Sequence, residues 1–416
     1  MLWLTILVLS LLAFFNYRIG GKALLYPPVV FCGIWAFDLF LVWVAGDYFY
    51  PMLPETLFIF ICGAFVFSLG CWVAVLFKER IPPPKPVLRE ASNRIITILV
   101  VLLALGAPLY YRWLSGVVSA GGGTAAFLAL ARVRTMELMG KSPAFTFFAT
   151  MVEISVIVAM IAFWEKERHP KRAVFAVVLA LFMGGIMGQK VGPLTLVVGL
   201  LGIDWIKNRR IRWKVALVMV LVMVIAIVVI ELYVHLNGSL QEQAGPILRQ
   251  FALYSSGGMV GFDRMVREPN IVPQPNPIYV WYLRIIRRLG TQVEIPEVSD
   301  FVTVGPQFAT NNVYTVYGEY LDWGYAGAIL WVGGLGLLAT LVYKRALQGR
   351  MISILLYGIL LRNIVFSPFT EYFVSNAYLL VKVIAVAWLV YSLPVQWAQF
   401  KNLIGSAVQA DLAKSR

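Results

Sequence analysis

The chain has 416 residues, of which 60% are hydrophobic and only 13% charged, and its mean hydropathy is +0.79. That balance excludes an ordinary soluble globule. A net charge of +14 would point toward nucleic acid in a soluble protein, but no polar segment is large enough to hold a basic domain, so no nucleic-acid partner is expected.

Apolar runs, each long enough or nearly long enough to cross ~30 Å of hydrocarbon, predict an all-α polytopic membrane protein. Eleven spans are read, at 2–15, 29–46, 55–77, 95–111, 145–164, 173–188, 191–205, 214–233, 324–343, 351–366 and 374–394. The shorter ones need tilt, bilayer thinning or packing neighbours. The first has no basic residue before it and no small-residue cleavage pattern, so it is expected to be retained. Arg18 and Lys22 follow it directly, which places the N-terminus outside. Every second connection is then basic: Lys78, Arg80, Lys85, Arg89 and Arg94; Lys166, Arg168, Lys171 and Arg172; Lys207, Arg209, Arg210, Arg212 and Lys214; Lys344, Arg345 and Arg350. The tail ends in Lys401, Lys414 and Arg416, giving an N-out, C-in orientation.

Cys32, Cys62 and Cys71 fall inside spans and read as packing residues. Two distant histidines make no metal constellation, and no metal or cofactor is expected. The run Ile81-Pro82-Pro83-Pro84-Lys85-Pro86 is a stiff spacer. Gly184 and Gly188, and the glycines of span nine (Gly324, Gly327, Gly333, Gly334, Gly336), predict close helix packing.

Two external connections are long. The first, 112–144, holds Gly121-Gly122-Gly123-Thr124 and then a short helix over 125–139 carrying Arg132 and Arg134. The glycine run lacks the Gly-Lys-Ser/Thr of a phosphate loop and reads as a flexible turn. The second, 234–323 between spans eight and nine, is expected to be the large periplasmic loop. It contains two short amphipathic helices at the outer interface, 247–259 and 278–289. Arg249, Arg264, Arg267, Arg284, Arg287 and Arg288 occupy its first part, against the habit of keeping basic residues cytoplasmic. Glu294, Glu297, Asp300, Glu319 and Asp322 follow without a further lysine or arginine.

That segregation suits glycosyl transfer: cations hold a diphosphate leaving group, and a carboxylate takes the proton of an attacking hydroxyl. Plainer readings stand beside it. Arg284, Arg287 and Arg288 fit snorkelling to anionic lipid as well as catalysis, and Arg264 and Arg267 have local acids in Asp263 and Glu268. Arg249 has no acid within a helical turn and follows Gly245-Pro246. Lys190 lies in a very short turn, Arg362 ends span ten, and Glu153 and Lys382 lie within spans. Ionisable groups at such depth need a partner or a task, so Glu153 and Lys382 are either a structural pair or functional; Asp38 is a competing partner.

Five stretches carry a family resemblance. They are Tyr26-Pro27-Pro28-Val29-Val30-Phe31; residues 128–136 with Arg132 and Arg134; Gly188-Gln189-Lys190; Phe251-Ala252-Leu253-Tyr254-Ser255-Ser256-Gly257-Gly258 after Arg249; and Thr310-Asn311-Asn312-Val313-Tyr314-Thr315 running into Gly318-Glu319-Tyr320-Leu321-Asp322-Trp323-Gly324. In this order and placement the chain resembles the Wzy-type oligosaccharide repeat-unit polymerases of O-antigen, enterobacterial common-antigen and capsule assembly. The resemblance implies transfer of a growing glycan from one undecaprenyl diphosphate to the non-reducing end of another lipid-linked repeat unit. It implies a periplasmic reaction at a bacterial inner membrane, without metal or nucleotide, with membrane lipids and a chain-length-regulating co-polymerase as partners. Lys190 stands where relatives often have arginine, a point charge in place of a planar fork.

On this reading Arg132, Arg134, Lys190, Arg249 and Arg362 bind the diphosphate. Glu319, Asp322 or Glu371 serves as base or orients the acceptor, and Tyr254 and Trp281 stack on sugar rings. The competing readings are an O-antigen ligase, for which His235 is the one outer histidine, a polyprenyl-phosphate sugar transferase using Asp47 or Glu55, and a lipid-linked glycan transporter built around Asp38, Glu153 and Lys382.

Overall fold

A computed structural model describes residues 1–77, 92–119, 131, 142–186, 191–210, 217, 247–268, 275–294, 302–306, 310–311 and 314–393, with the side chains of 191, 247–250, 288 and 310–311 outside that description. The fold is all-α. Six helices among the described residues are long and apolar enough to cross a membrane. They lie in α1 (Leu2–Ile19), α2 (Pro27–Ala45), α3 (Pro54–Leu76), α4 (Asn93–Ser119), α5 (Pro143–Trp164) and α11 (Gly324–Leu347). Four other segments read as spans are also helical: α6 (Pro170–Ile186), α7 (Val191–Asn208), α12 (Met351–Val365) and α13 (Ala377–Tyr391). Span 214–233 lies outside the described residues apart from position 217. Between α7 and α11 come α8 (Ile247–Arg267), α9 (Pro277–Arg288), a two-strand ribbon pairing β1 (Val302–Thr303) with β2 (Thr310–Asn311), and α10 (Thr315–Gly318).

The chain forms two compact units. One comprises Met1–Pro82, Ser239–Arg345 and Ile359–Tyr378; the other comprises Pro83–Gly238, Ala346–Gly358 and Leu379–Arg416. In the first, α1 packs on α2 and α3 in a manner opposite to a soluble helix. It buries Thr5, Leu9 and Asn16 and leaves Leu4, Leu7, Leu11, Phe14 and Phe15 outward, a face that water would reject and hydrocarbon accepts. Asn16 is satisfied in place, donating to Ser68 Oγ at 2.9 Å and accepting from Trp72 Nε1 at 2.9 Å. Trp35 centres an aromatic core with Phe31, Phe60 and Tyr317, and its indole donates to Ser367 Oγ at 2.9 Å. Glycines let α3 and α11 cross closely, as span nine's composition predicts: a Cβ on Gly70 would collide with the Gly333 carbonyl oxygen. The three cysteines are free thiols.

In the second unit α4 to α7 pack together, and α4 runs to Ser119, past the predicted end at 111. The extension holds because Leu114 and Val118 bury against Phe145, Val152 and Met183. Lys382 on α13 is ion-paired to Glu153 on α5 and donates to Thr150 Oγ1 at 3.1 Å. The structural pairing therefore accounts for both charges, without Asp38. Lys166 pairs with Asp204 at 3.0 Å and Lys207 with Glu167 at 3.2 Å, so part of the basic signal is locally neutralised.

Candidate functional site

The site grows from the end of α12. Its last turn closes on itself, with Phe366 N donating to Arg362 O at 3.0 Å and Thr370 N to Phe366 O at 3.0 Å. The chain then runs beside the approach to α10: Thr315 N donates to Phe369 O at 3.1 Å and Val316 N to Ser367 O at 2.9 Å, with a parallel bridge between Thr315 and Thr370. Thr315 takes φ 63°, a strained value for a β-branched residue, and this tertiary pairing holds it there. α8 closes the assembly. A Cβ on Gly258 would lie 2.9 Å from the Pro368 carbonyl oxygen and would collide with that of Phe369.

This pairing brings together residues far apart in sequence. Glu319 Oε1 accepts from Thr370 Oγ1 at 2.8 Å and from Glu371 N at 3.3 Å. Its Oε2 takes no hydrogen bond among the described residues. Glu371 is engaged through both oxygens: Oε1 accepts from Phe373 N at 2.5 Å and Val374 N at 2.8 Å, and Oε2 from Ser375 N at 2.9 Å. Arg362, buried in the last turn of α12, donates to Asn363 Oδ1 at 2.9 Å and lies 3.9 Å from the centroid of the Tyr372 ring. Glu319 and Glu371 are buried as well.

Burial and proximity decide the proton affinities. Burial first, and the Glu371 charge second, push Glu319 up to about 8 against the hydrogen bonds from Thr370 and Glu371. Burial raises Glu371 too, but three backbone N–H groups favour its ionised form. The Tyr372 hydroxyl is raised by burial, drawn down by Arg362 and pushed up by Glu319, so it senses both charges. The buried Tyr320 hydroxyl is raised by burial and then by Glu371.

Of the residues singled out from sequence, the structure thus gathers Glu319, Glu371 and Arg362. Asp322 is exposed and outside the cluster. Arg249 lies in the first turn of α8, its side chain outside the description; Arg132, Arg134 and Lys190 lie outside the described residues. Tyr254 and Trp281 are 40% and 38% exposed; Trp281 packs near Tyr378, with ring centroids 6.5 Å apart. Arg284 and Arg287 on α9 are exposed.

Two expectations for the long loop change. The first helix extends to Arg267, and its later half is core, with Met259, Val260 and Phe262 fully buried. Small side chains permit this: Ser256 Oγ donates to Asp38 O at 2.9 Å, and buried Asp263 accepts from Leu53 N at 2.7 Å. Arg267 is held by Asp263 at 2.8 Å and Arg264 pairs with Glu268, so local pairing accounts for both. Sequence reasoning missed Thr370, Tyr372, Asn363 and Tyr320. The available signal for Thr370 and Tyr372 was a short connection between apolar helices that holds Ser367, Thr370, Glu371 and Ser375.

Among the described residues no three His, Cys, Asp or Glu side chains come together as metal ligands. No protein-family model, curated protein or solved structure matches the chain.

Proposed function

We propose that this chain is a membrane glycosyltransferase that joins undecaprenyl-diphosphate-linked oligosaccharide repeat units, as the Wzy-type polymerases it resembles do. The observation that carries the reading is the buried cluster of Glu319, Glu371 and Arg362. It supplies a carboxylate whose Oε2 takes no hydrogen bond among the described residues and whose proton affinity is near neutrality, and a buried cation over the ring of Tyr372, the residue after Glu371.

The acceptor hydroxyl oxygen bonds to the anomeric carbon of the donor sugar as that carbon's bond to the diphosphate oxygen breaks. The hydroxyl proton passes to Glu319 Oε2. The diphosphate leaves with the bonding pair, its charge met by Arg362 and Arg249, the kind of preorganised stabilisation that dominates many active sites. Glu371, with both oxygens taken, positions Glu319 and holds the connection in shape. Asp322, exposed, orients the acceptor. For Arg132, Arg134 and Lys190 the role rests on the resemblance alone.

Eleven spans, an N-out and C-in orientation in a bacterial inner membrane, a periplasmic 234–323 loop and a chain-length-regulating partner belong to the same reading. The six long apolar helices and the shorter apolar α12 and α13 support its membrane part.

The test is the surface-glycan ladder in cells whose own copy is deleted and replaced by Glu319→Gln. Long chains are expected to vanish while a single repeat unit stays on the lipid core. A normal ladder from a well-expressed variant would exclude Glu319 as the base. Loss of every repeat from the core, in the deletion itself, would favour ligase or export.

A further inference from the structure

Beyond the carboxylate cluster, the same unit has a groove of about 460 Å³ lined by Asn276, Ile278, Tyr279, Tyr282, Asp322 and Trp323. Tyr279 and Tyr282 stand three apart on α9 and so share a face. They are 53% and 57% exposed. Trp323 is 46% exposed, yet its plane is fixed from behind by Tyr320 at 5.3 Å and Trp331 at 5.6 Å between centroids. Asn276 starts the wall by capping α9, its Oδ1 accepting from Ile278 N at 3.0 Å.

We propose that this groove is a saccharide subsite, in which Tyr279, Tyr282 and Trp323 receive the C–H faces of a pyranose and Asp322 accepts its hydroxyls. The proposal rests on the glycan-joining reading and names where the acceptor sugar sits. Apolar rings beside one carboxylate suit a ligand with apolar faces and hydroxyl edges. An anionic lipid headgroup would be repelled by Asp322, and Arg284 and Arg287 are not among the walls. Closeness along the chain favours the same occupant: Trp323 packs on Tyr320, the residue that follows Glu319.

The probe is the lipid-linked repeat unit extracted from cells lacking the gene, elongated by the purified protein in lipid nanodiscs. The Tyr279→Ala/Tyr282→Ala protein should raise KM for this acceptor by about tenfold and leave kcat within about twofold of wild type. The Tyr279→Phe/Tyr282→Phe protein should stay close to wild type. An unchanged KM in the alanine protein, or a fall in kcat alone, would overturn the subsite. So would a defect present in nanodiscs and absent in detergent micelles, which would make the tyrosines bilayer anchors. Should the phenylalanine protein lose as much as the alanine one, stacking is not the interaction and the proposal fails. No elongation by the wild-type protein would refute the joining reaction itself and this subsite with it.

Discussion

Glu319 carries the sharpest consequences at the scale of single residues. Its proton affinity near 8 means that the free carboxylate grows in as pH rises from neutrality. Elongation by the wild-type protein should therefore increase between pH 6.5 and 8.5, and a profile already flat across that range would remove Glu319 as the group that must lose a proton. Replacing it with glutamine should cost about 10²–10⁴ in rate, the usual worth of a positioned base. The stability effect has the opposite sign. A carboxyl raised above its ordinary value binds more protons in the folded than in the unfolded chain, so its contribution is full below about 4.5, falls as pH rises and is gone above about 8. Thermal unfolding of wild type in fixed detergent should show that decline, and Glu319→Gln should reduce it. Glu371 differs because its oxygens take three backbone donors. Its alanine variant leaves those N–H groups unsatisfied in a buried setting, at about 1–3 kcal/mol for each such group. A melting temperature equal to wild type would show that the connection does not depend on it.

The elements show why these residues meet. The segment after α12 folds back along the chain leading into α10, joining Glu319 to Thr370 across 51 positions of sequence. The charges of Glu319, Glu371 and Arg362 were legible as polar residues flanking apolar runs. Their meeting was not, because it is set by backbone pairing between two irregular segments, and irregular segments have no hydrophobic period to read. α8 teaches a related lesson. Its strong amphipathic pattern predicts a surface helix, but glycine and serine let its backbone approach other backbone. Burial there is tolerated because Ser256 and Asp263 find partners. Gly258→Ala is accordingly expected to destabilise by about 1–3 kcal/mol and to depress elongation by displacing residues 368–369. Unchanged melting and activity in that variant would mean that the close approach has no consequence. Among the described residues, helix ends fall within a few residues of the ends read from sequence, except where α4 continues on the packing of Leu114 and Val118.

For the whole molecule, hydropathy made membrane residence legible, because an outward apolar face on α1 and a buried Asn16 invert the soluble pattern. The alternation of basic connections carries the orientation proposal, although several of its cations are also paired with acids. Single cysteines placed at Asn237 and at Lys401, in a background with the native cysteines replaced, should react with an impermeant thiol reagent from outside and inside respectively; the reverse pattern would put the long loop in the cytoplasm, away from a periplasmic reaction. The most direct measurement of the central claim follows product and leaving group together. Purified wild-type protein is given the extracted lipid-linked repeat unit, without metal or nucleotide, and both glycan length and free undecaprenyl diphosphate are counted. One free diphosphate is expected for every new glycosidic linkage, and neither product with Glu319→Gln. Longer glycans without diphosphate release, or no longer glycans from wild type, would contradict that claim.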